Sequence, residues 1–459
     1  MKIMILGAGQ VGASVAASLS REENDITVVD TNAQRLGELQ DKLDIRGVLG
    51  NASHPKVLIR AGAEDADMVV ALTNSDEINM VACQVCYTIF HTPTKIARVR
   101  AAEYLDYPEL FSGENCPVDV LISPEKLVTE HVKRLIEYPG SLQVLDFADG
   151  RAQIVAVATV EGGALTGHKI SELRKLLPDD IEIRVAAIFR EEKALIPKGD
   201  TIMIPGDIVF FLAARNHILR VMAEIRKLEQ PARRVLLAGG GNIGASLAAV
   251  LEEEDYLVKL VERSRERAKY IAESLEKTIV LVGDCADEDL LREENIDQTD
   301  MFCALTNDDE ANILSSMLAK KMGARRVISL VNRASYVDMM EAGTIDIALS
   351  PQQITIGALL THVRRGHMVK VHSLRRGAAE AIEAVAHGDN RTSRVVGRAV
   401  EEIPLPEEVT IVGIVRGESL IIAHHDEVIE PEDHVILLVL NKAGLGEVEQ
   451  LFQVGATFI

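Results

Sequence analysis

The first part of the chain alternates short apolar runs with longer segments that mix polar and apolar residues. Each apolar run has the length of a β-strand, and each mixed segment has the length of a helix. The runs lie at residues 2–6, 26–29, 47–49, 68–72 and 95–99. This alternation predicts an α/β domain with a doubly wound, Rossmann-like parallel sheet.

The same pattern returns in the second half of the chain, nearly without gaps. Residues 4–14 (MILGAGQVGAS) return as residues 236–246 (LLAGGGNIGAS), and residues 71–77 (ALTNSDE) return as residues 304–310 (ALTNDDE). An internal repeat of this length predicts a second domain with the same fold.

A smaller, strand-rich segment follows each large domain. The two segments resemble each other at residues 200–209 and 426–435, where Pro-Gly-Asp and Pro-Glu-Asp turns separate apolar runs. We therefore predict two Rossmann-like domains, each followed by a small α+β domain, with a polar linker over residues 227–234. The predicted boundaries are residues 1–140, 141–226, 232–368 and 369–459.

Composition and charge narrow the choice of partners. With 70 acidic and 49 basic residues the net charge is −21, and a polyanion is repelled by nucleic acid and by anionic lipid. The apolar runs stay below the roughly 18 residues of a membrane span. We therefore expect no nucleic-acid partner and no direct membrane insertion. Five cysteines without framework spacing are typical of the reducing cytoplasm, and we interpret Cys83 and Cys86 as core thiols.

A glycine pattern in each large domain predicts a nucleotide site. Gly7, Gly9 and Gly12 follow a strand and open a helix, and Asp30 ends the next strand. Such glycines let the backbone approach a pyrophosphate at the helix N-terminus, while the carboxylate accepts hydrogen bonds from ribose hydroxyls. The second copy repeats the pattern with Gly239, Gly241, Gly244 and Glu262, and the intervening candidates are Gln10, Val11 and Asn242.

Further candidates lie where the other strands end, because open α/β sheets bind ligands at that edge. These candidates are Asn51, Ala52, Thr73 and Asn74 in the first copy, and Asp284, Cys285, Thr306 and Asn307 in the second. Polar capping of turns explains the same residues equally well. A carboxylate at Asp30 or Glu262 favours NAD or an adenine nucleotide over NADP, although Arg35, Arg263 and Arg265 leave NADP open.

Arg98 and Arg100 distinguish the two copies. They end the fifth predicted strand, where an arginine fork suits phosphate oxygens, and ordinary surface ion pairs are the alternative. The second copy reads Ser-Leu-Val-Asn-Arg at residues 329–333. We therefore expect the two sites to differ in ligand preference.

Catalytic groups are missing from this pattern. The 12 histidines form no metal-binding motif, and we interpret His54, His91 and His131 as exposed loop residues. The small domains offer no general acid for a nicotinamide. We expect a sensor that is not an enzyme; an NAD-dependent oxidoreductase and a DNA-binding regulator remain as alternatives.

The tandem order, the motifs ILGAGQVG (residues 5–12), VVD (28–30), LGNA (49–52) and ALTN (71–74), and the Pro-Gly-Asp segment closely resemble RCK proteins, regulators of potassium conductance. The resemblance covers essentially the whole chain as two RCK_N/RCK_C units. It implies a ring of RCK domains, most simply a homotetramer, on the cytoplasmic face of a TrkH-type potassium channel subunit.

The same resemblance implies that NAD(H) or ATP/ADP binding changes the shape of this ring. As nucleotide contacts it implies Gly7, Gly9, Gly12, Asp30, Asn51, Thr73, Arg98 and Arg100. We expect the segments 125–138 and 352–365 to be helices that relay the change to a partner.

Overall fold

The computed structural model describes residues 1–20, 24–111, 115–163, 165–175, 178, 181–191, 193–225, 232–333, 336, 340, 345–363, 368–375, 378–440 and 444–453. These residues form two compact units. The first compact unit comprises residues 1–128 and 350–363, and the second comprises residues 129–349 and 364–459.

The first sheet has six parallel strands in the order β3-β2-β1-β4-β5-β6. Its strands are β1 (Lys2–Leu6), β2 (Asp25–Asp30), β3 (Arg46–Leu49), β4 (Met68–Ala71), β5 (Thr94–Arg98) and β6 (Val120–Ile122). Its helices are α1 (Gln10–Leu19), α2 (Ala33–Gln40), α3 (Pro55–Ala61), α4 (Asp76–Phe90) and α5 (Ala102–Leu105). This strand order is that of a Rossmann fold.

Both faces of this sheet are covered, which explains why its strands read as continuous apolar runs. In β1, Ile3 and Ile5 pack in the core on one face. Met4 and Leu6 pack in the core on the opposite face. Helices therefore flank the sheet on both sides, as the sequence pattern predicts.

Helix α6 (Pro124–Glu137) follows the first sheet and leads to an antiparallel domain. That domain has five strands in the order β10-β9-β11-β8-β7 and one helix. Its elements are β7 (Ser141–Phe147), β8 (Ala152–Ala158), β9 (Ile183–Arg190), β10 (Lys193–Leu195), β11 (Ile208–Ala214) and α7 (Arg215–Ile225).

The second parallel sheet repeats the first, in the order β14-β13-β12-β15-β16-β17. Its strands are β12 (Arg234–Ala238), β13 (Leu257–Glu262), β14 (Ile279–Val282), β15 (Met301–Ala304), β16 (Arg326–Leu330) and β17 (Ile347–Leu349). The helices here are α8 (Asn242–Glu253), α9 (Arg265–Ser274), α10 (Glu288–Glu293), α11 (Asp309–Lys321) and α12 (Pro351–Val363).

The last antiparallel sheet has the order β18-β19-β22-β20-β21, the topology of the first antiparallel domain. Its elements are β18 (Met368–Leu374), β19 (Ala379–Ala386), β20 (Val409–Arg416), β21 (Ser419–Ile422), β22 (Asp433–Val439) and α13 (Leu445–Leu451). The predicted fold class, two Rossmann-like domains each with a small antiparallel domain, is therefore confirmed.

The two antiparallel domains share one apolar core. Phe147 and Phe210 of the first pack in the same cluster as Leu374 and Ile436 of the second. A hydrogen bond from backbone to side chain also joins them, since the Ala148 N–H donates to the buried Glu383 carboxylate at 2.8 Å. These small domains therefore form a single packed pair inside the second compact unit.

Helix α12 belongs to a different compact unit from the strand that precedes it in the chain. It belongs to the first compact unit, where Leu359 and Leu360 are buried in the core beside Val15 and Leu19 of α1. The first Rossmann-like domain is thus completed by residues from the second half of the sequence.

The predicted helices at 125–138 and 352–365 are present as α6 and α12, with Arg364 and Arg365 outside the described residues. The expectation for His131 was wrong, because this residue lies on α6 and is largely packed rather than in an exposed loop. Of the predicted linker, residues 227–231 lie outside the described residues. No helix in the described part of the chain is long and apolar enough to cross a bilayer.

Candidate nucleotide-binding sites

The first glycine loop (residues 7–12) joins β1 to α1 in a conformation that requires glycine. Gly7 has a φ of +111°, and a Cβ there would lie 2.9 Å from the Leu72 carbonyl oxygen. A Cβ on Gly12 would lie 1.9 Å from the Gly7 carbonyl oxygen. Gly9 faces open space, with no atom within 4 Å of a Cβ position. The loop is therefore tight on its inner side and open where a ligand would approach.

The N-terminus of α1 adds an electrostatic component. Gly9 is the N-cap and offers no side chain, and the first turn contains no acidic residue. The free amide groups and the positive end of the helix dipole are therefore uncompensated at the loop. Gln10 is exposed there, while Val11 packs partly into the core. This arrangement suits an anionic pyrophosphate.

Asp30 ties the end of β2 to the glycine loop. One carboxylate oxygen accepts from the Ala8 N–H at 2.6 Å, and the other accepts from the Asn32 N–H at 2.7 Å. Each carboxylate oxygen has a further lone pair that can accept a ribose hydroxyl. Asp30 thus has a structural role in the loop in addition to the predicted ligand contact.

The second glycine loop (residues 239–244) repeats this geometry. Gly239 has a φ of +109°, and a Cβ on Gly244 would lie 1.9 Å from the Gly239 carbonyl oxygen. Glu262 accepts from the N–H groups of Gly240 and Ser264, both at 2.7 Å. Gly241 faces open space, and Asn242 begins α8 as an exposed residue.

Asn51 and Asp284 have corresponding positions after the third strand of each sheet. The Asn51 side chain accepts from the Ser53 N–H at 2.9 Å, and Asp284 accepts from the Ala286 N–H at 2.9 Å. Both residues therefore cap turns, which is the alternative that the sequence left open. Ala52 and Cys285 are buried beneath these turns.

Thr73 and Thr306 are each oriented by a buried asparagine that is not among the candidates from the sequence. The Thr73 hydroxyl donates to Asn79 at 2.7 Å, and the Asn79 amide donates to the Arg98 carbonyl at 2.9 Å. Thr306 and Asn312 repeat the first contact at 2.6 Å. Asn79 and Asn312 are fully buried and link the ends of the fourth and fifth strands. The presence of this asparagine in both repeats is the sequence feature that could have indicated its role.

Arg98 and Arg100 converge on the segment that follows β4. An Arg98 Nη donates to the Thr73 carbonyl at 2.6 Å, and an Arg100 Nη donates to the Asn74 carbonyl. Asp76 accepts from the Arg100 N–H at 2.8 Å. Burial, and next the charge of Arg100, lowers the pKa of the Arg98 guanidinium. The two guanidinium groups are therefore held together at the ligand edge of the sheet.

Arg98 Nε and Glu125 Oε2 are buried without a hydrogen-bond partner, whereas Arg100 Nε lies 3.6 Å from Asp76 Oδ1 in an ion pair. Burial also raises the pKa of the Glu125 carboxyl, against the opposing effect of the two arginines. Buried polar atoms are normally paired, so the unpaired Arg98 and Glu125 atoms indicate room for a ligand or ion beside them. Together with the glycine loop, these residues fit a nucleotide phosphate group.

The equivalent place in the second sheet is chemically different. Leu330 and Asn332 stand where the first sheet has Arg98 and Arg100, as the shared bonds to Asp309 and Asn312 show. The Asn332 amide is satisfied by Asp309 at 2.9 Å. Arg333 is exposed and pairs with Glu310 at 3.0 Å. Among the residues that the structure describes, the second site therefore has no counterpart of the Arg98 and Arg100 pair.

Three further residues at these sites were missed from the sequence. Asp76 and Glu125 surround the arginines, and Gln352 at the start of α12 donates to the Gln10 carbonyl at 3.1 Å and to the Ser14 hydroxyl. Gln352 lies 342 positions from Gln10 in the chain, so no local pattern indicates the contact. In the second site, Arg267 Nε similarly donates to the Gly240 carbonyl at 2.9 Å.

The CxxC pair does not form a site. Cys83 and Cys86 are both fully buried, and burial raises the pKa of the Cys86 thiol to about 11. No group of His, Cys, Asp and Glu among the described residues has the geometry of a metal site. These thiols pack in the core, as the sequence indicates.

Comparison with known proteins identifies the family of the chain. Residues 3–124 and 235–351 match the TrkA-N domain, and residues 154–226 and 390–453 match the TrkA-C domain. The chain is 58% identical over 458 residues to the Trk system potassium uptake protein TrkA of Halomonas elongata, and both chains are covered completely. The chain belongs to the TrkA family.

Other comparisons agree with this membership. The Trk system potassium uptake protein TrkA of Vibrio alginolyticus is 58% identical over 460 residues, again covering both chains completely. The fold of the TrkA-family chain also matches the GsuK RCK domain, with a TM-score of 0.61 at 17% identity, covering 98% of this chain and 94% of that one.

The GsuK channel bound to NAD has the same TM-score and identity, covering 98% of this chain and 78% of that one. These relatives are potassium uptake proteins and channel domains, so the expectation that the chain is not an enzyme is confirmed.

Proposed function

We propose that this chain is a nucleotide-sensing, cytoplasmic regulatory subunit that binds NAD(H) or ATP/ADP and gates a TrkH-type potassium uptake channel. The main support is the pair of guanidinium groups of Arg98 and Arg100, held beside the first glycine loop, where Arg98 Nε and Glu125 Oε2 are buried without a hydrogen-bond partner. A ligand phosphate would satisfy the two arginines and neutralise their mutual repulsion.

The geometry supports NAD(H) at both glycine loops. Each loop has an open central glycine at a helix N-terminus and a carboxylate at the end of the neighbouring strand, here Asp30 and Glu262. The carboxylate repels a ribose 2′-phosphate and therefore favours NAD(H) over NADP(H). The NAD-bound state of GsuK, a protein with the same fold, is consistent with this ligand.

The first site also suits ATP or ADP. Arg98 and Arg100 add two positive charges that the second site lacks, and a polyphosphate gains more from them than a dinucleotide does. We propose that ATP and NADH hold the first site in different arrangements. A ligand shifts a conformational equilibrium only through its different affinity for the two states, and the ligands differ most at this phosphate end.

Equivalent helices in the two repeats, α4 and α11, each expose apolar side chains that a ring of RCK domains would bury. Helix α4 exposes Val81 (49%) and Ile89 (53%), and the equivalent helix α11 exposes Leu314 (61%) and Met317 (44%). Val81 and Leu314 occupy equivalent positions in the two repeats, and Ile89 and Met317 extend the apolar surface of each helix, which supports a shared contact with another copy of the chain. We assign these four residues to the ring contact, with a homotetramer as the simplest assembly.

Two helices are placed to transmit the ligand state. Gln352 of α12 contacts the first glycine loop, and Leu359 and Leu360 of the same helix are packed in the core. Lys133 of α6 pairs with Glu254 at 2.5 Å, at the end of α8. With a net charge of −21 the protein avoids anionic lipid, so we propose that it reaches the membrane only through its channel partner.

Calorimetric titration of NADH, NAD and ATP into the wild type and into Asp30→Ala and Glu262→Ala tests the ligand assignment. We expect Asp30→Ala to abolish ATP binding and one class of NADH sites, and Glu262→Ala to abolish the other class. Asp41→Ala, at the exposed end of α2, is the charge-matched control. Unchanged binding in both site variants would refute the assignment.

Potassium flux through the reconstituted channel complex tests the gating. We expect Arg98→Ala to remove the ATP dependence of flux while calorimetry still detects NADH at the second site. If Arg98→Ala responds to ATP as the wild type does, the proposed sensing role of the first site is wrong.

A further inference from the structure

The second compact unit contains a cavity on the first antiparallel domain. This cleft has a volume of about 800 Å³, within the usual range for small-molecule sites. We call it the arginine cleft. Its lining residues are Glu137, Tyr138, Asp149, Gly150, Arg151, Ala214, Arg215, Asn216, Leu219, Tyr256 and Glu418.

The arginine cleft is separate from the second nucleotide site. Tyr256 immediately precedes β13 and therefore lies at the amino end of that strand. The second glycine loop and Glu262 lie at the carboxyl end of the same sheet. A ligand in this cleft would therefore not overlap a nucleotide bound at the second glycine loop.

Two arginines form the inner wall. Arg151 is held by bonds from Nε to the Ala148 carbonyl at 2.7 Å and from Nη1 to the Gly417 carbonyl. The Arg215 N–H donates to the Arg151 carbonyl at 3.0 Å. Arg215 Nη1 lies 2.9 Å from the position that a Cβ on Gly150 would take. Arg151 and Arg215 therefore lie at the same turn.

The acidic residues of the cleft do not neutralise these arginines. The side chains of Asp149 and Glu418 are 85% and 90% exposed, and their distances to Arg151 are long, at 4.0 and 3.8 Å. Glu137 pairs instead with Lys133 at 3.3 Å. Arg215 forms no ion pair with any residue that the structure describes. The inner wall is cationic, while the acids lie solvated at the rim.

Other groups in the cleft favour the same kind of ligand. Helix α7 begins at Arg215, so the amide groups of its first turn and the positive end of its dipole lie at the cleft. Tyr138 is buried and Tyr256 is half-buried, and burial raises the pKa of both phenols. Both phenols therefore remain protonated at neutral pH. Tyr138 is packed in the core, and the half-buried Tyr256 offers a flat apolar face.

The second antiparallel domain lacks this arginine pair. By strand register, Arg151 corresponds to Ala378 in the second antiparallel domain. The shared fold therefore does not require Arg151, because the sister domain forms the same sheet without it.

We propose that the arginine cleft binds a small organic phosphate, with the phosphate between Arg151 and Arg215 and its flat group against Tyr256. The walls come from the first antiparallel domain, the second Rossmann-like domain and the hairpin at Glu418. A bound phosphate therefore crosslinks three parts of the second compact unit and favours the arrangement in which they meet.

The test uses AMP as the probe and full-length protein already saturated with NADH. Hydrogen exchange of peptides covering residues 148–151 and 214–219 is measured with and without AMP, and the AMP affinity is measured by calorimetry. We expect AMP to protect both peptides. We expect Arg215→Ala to weaken the calorimetric affinity by at least about tenfold, because it removes a charged phosphate contact.

Arg220→Ala is the matched control, since Arg220 lies on the same helix outside the cleft lining. Arg215 is exposed, so Arg215→Ala is expected to fold normally and to bind NADH as the wild type does. The proposal fails if AMP leaves both peptides unprotected, or if Arg215→Ala and Arg220→Ala bind AMP equally. NADH binding, measured in the same samples, reports separately on the proposed nucleotide sites.

Discussion

At the residue scale, the glycines of the two loops differ in whether a side chain would fit at their positions. Gly12 and Gly244 each lie against a carbonyl oxygen that an added Cβ would meet at 1.9 Å, whereas Gly9 and Gly241 face open space. The inner glycines therefore serve the packing of helix on strand, and the outer ones leave room for a ligand. One sequence motif thus contains two separate physical requirements.

We predict that Gly12→Ala destabilises the first compact unit by about 3 kcal/mol or more, because a backbone oxygen cannot move aside without shifting the loop. Gly37→Ala is the control, since a Cβ there contacts nothing and alanine should stabilise α2 by roughly 0.5–1 kcal/mol. Hydrogen exchange of residues 2–19 measures the effect. Equal exchange in the two variants would contradict this account of the loop.

The sequence predicted the glycines and the carboxylates because their role is local. A tight turn and the end of a neighbouring strand leave a readable spacing, and Asp30 and Glu262 occupy equivalent places. Glu125 and Gln352 were not predicted, because their contacts depend on how α6 and α12 pack. His131 was misjudged for the same reason.

At the element scale, α6 carries titratable groups into a packed region. His131 and His372 are both largely enclosed, and Arg134 pairs with Asp146 at 2.9 Å. His372 Nε2 bonds the Asp146 carbonyl at 3.0 Å, and its ring packs edge-on against Phe147. Burial lowers the pKa of each histidine to about 4, with a smaller contribution to His131 from Arg134.

We predict that this region loses stability in acid. Since both folded pKa values lie below the unfolded value of about 6.5, their contribution is fully present above pH 6.5 and is lost as the pH falls toward 4. Each histidine should account for up to about 2 kcal/mol. Urea unfolding between pH 7 and 4.5 measures it. His131→Leu and His372→Leu should flatten the profile, and the exposed His425→Leu should not.

A second element-scale feature is an ion pair repeated in the two antiparallel domains. Arg190 contacts the buried Asp207 through two bonds of 2.8 Å, and Arg416 contacts the buried Asp433 in the same way at 2.9 and 2.8 Å. Each aspartate follows the turn that the sequence repeat indicated. The pair therefore fixes that turn to the neighbouring strand in both copies.

We predict that Arg190→Ala costs roughly 3 kcal/mol, because it leaves the buried Asp207 carboxylate without its partner. Local hydrogen exchange of residues 183–190 and 208–214 measures the loss. Calorimetric NADH affinity should stay unchanged, since this pair is remote in sequence and sheet from the glycine loops. Arg416→Ala should destabilise residues 409–416 of the second antiparallel domain by a similar amount. The prediction is wrong if neither substitution destabilises its own domain.

At the scale of the whole molecule, the internal repeat has produced unequal halves. The fold is duplicated, with identical strand orders in both parallel sheets. The chemistry has diverged at the fifth strand of each parallel sheet, and again at Arg151 of the first antiparallel domain. The fold and its repeat were predictable from the periodicity of the sequence alone. The contacts of the charged side chains at these two places depend on tertiary packing and were not predictable.

We predict that Val81→Glu and Leu314→Glu, introduced together, dissociate the proposed ring without unfolding the chain. Two carboxylates buried in an apolar contact are strongly unfavourable, while both positions are exposed in the single chain. Analytical ultracentrifugation measures the assembly state. Leu257→Glu, at an equally exposed apolar residue on a strand, is the control, and an unchanged mass in the double variant would exclude this surface from the ring.

The position of α12 has a consequence for synthesis. The core of the first compact unit includes Leu359 and Leu360, so it remains incomplete until the ribosome has translated past residue 360. The first domain to leave the ribosome is therefore among the last to finish folding. Until then, the surface of α1 that these leucines cover is open to water, and the nascent chain depends on its own distant residues to close it.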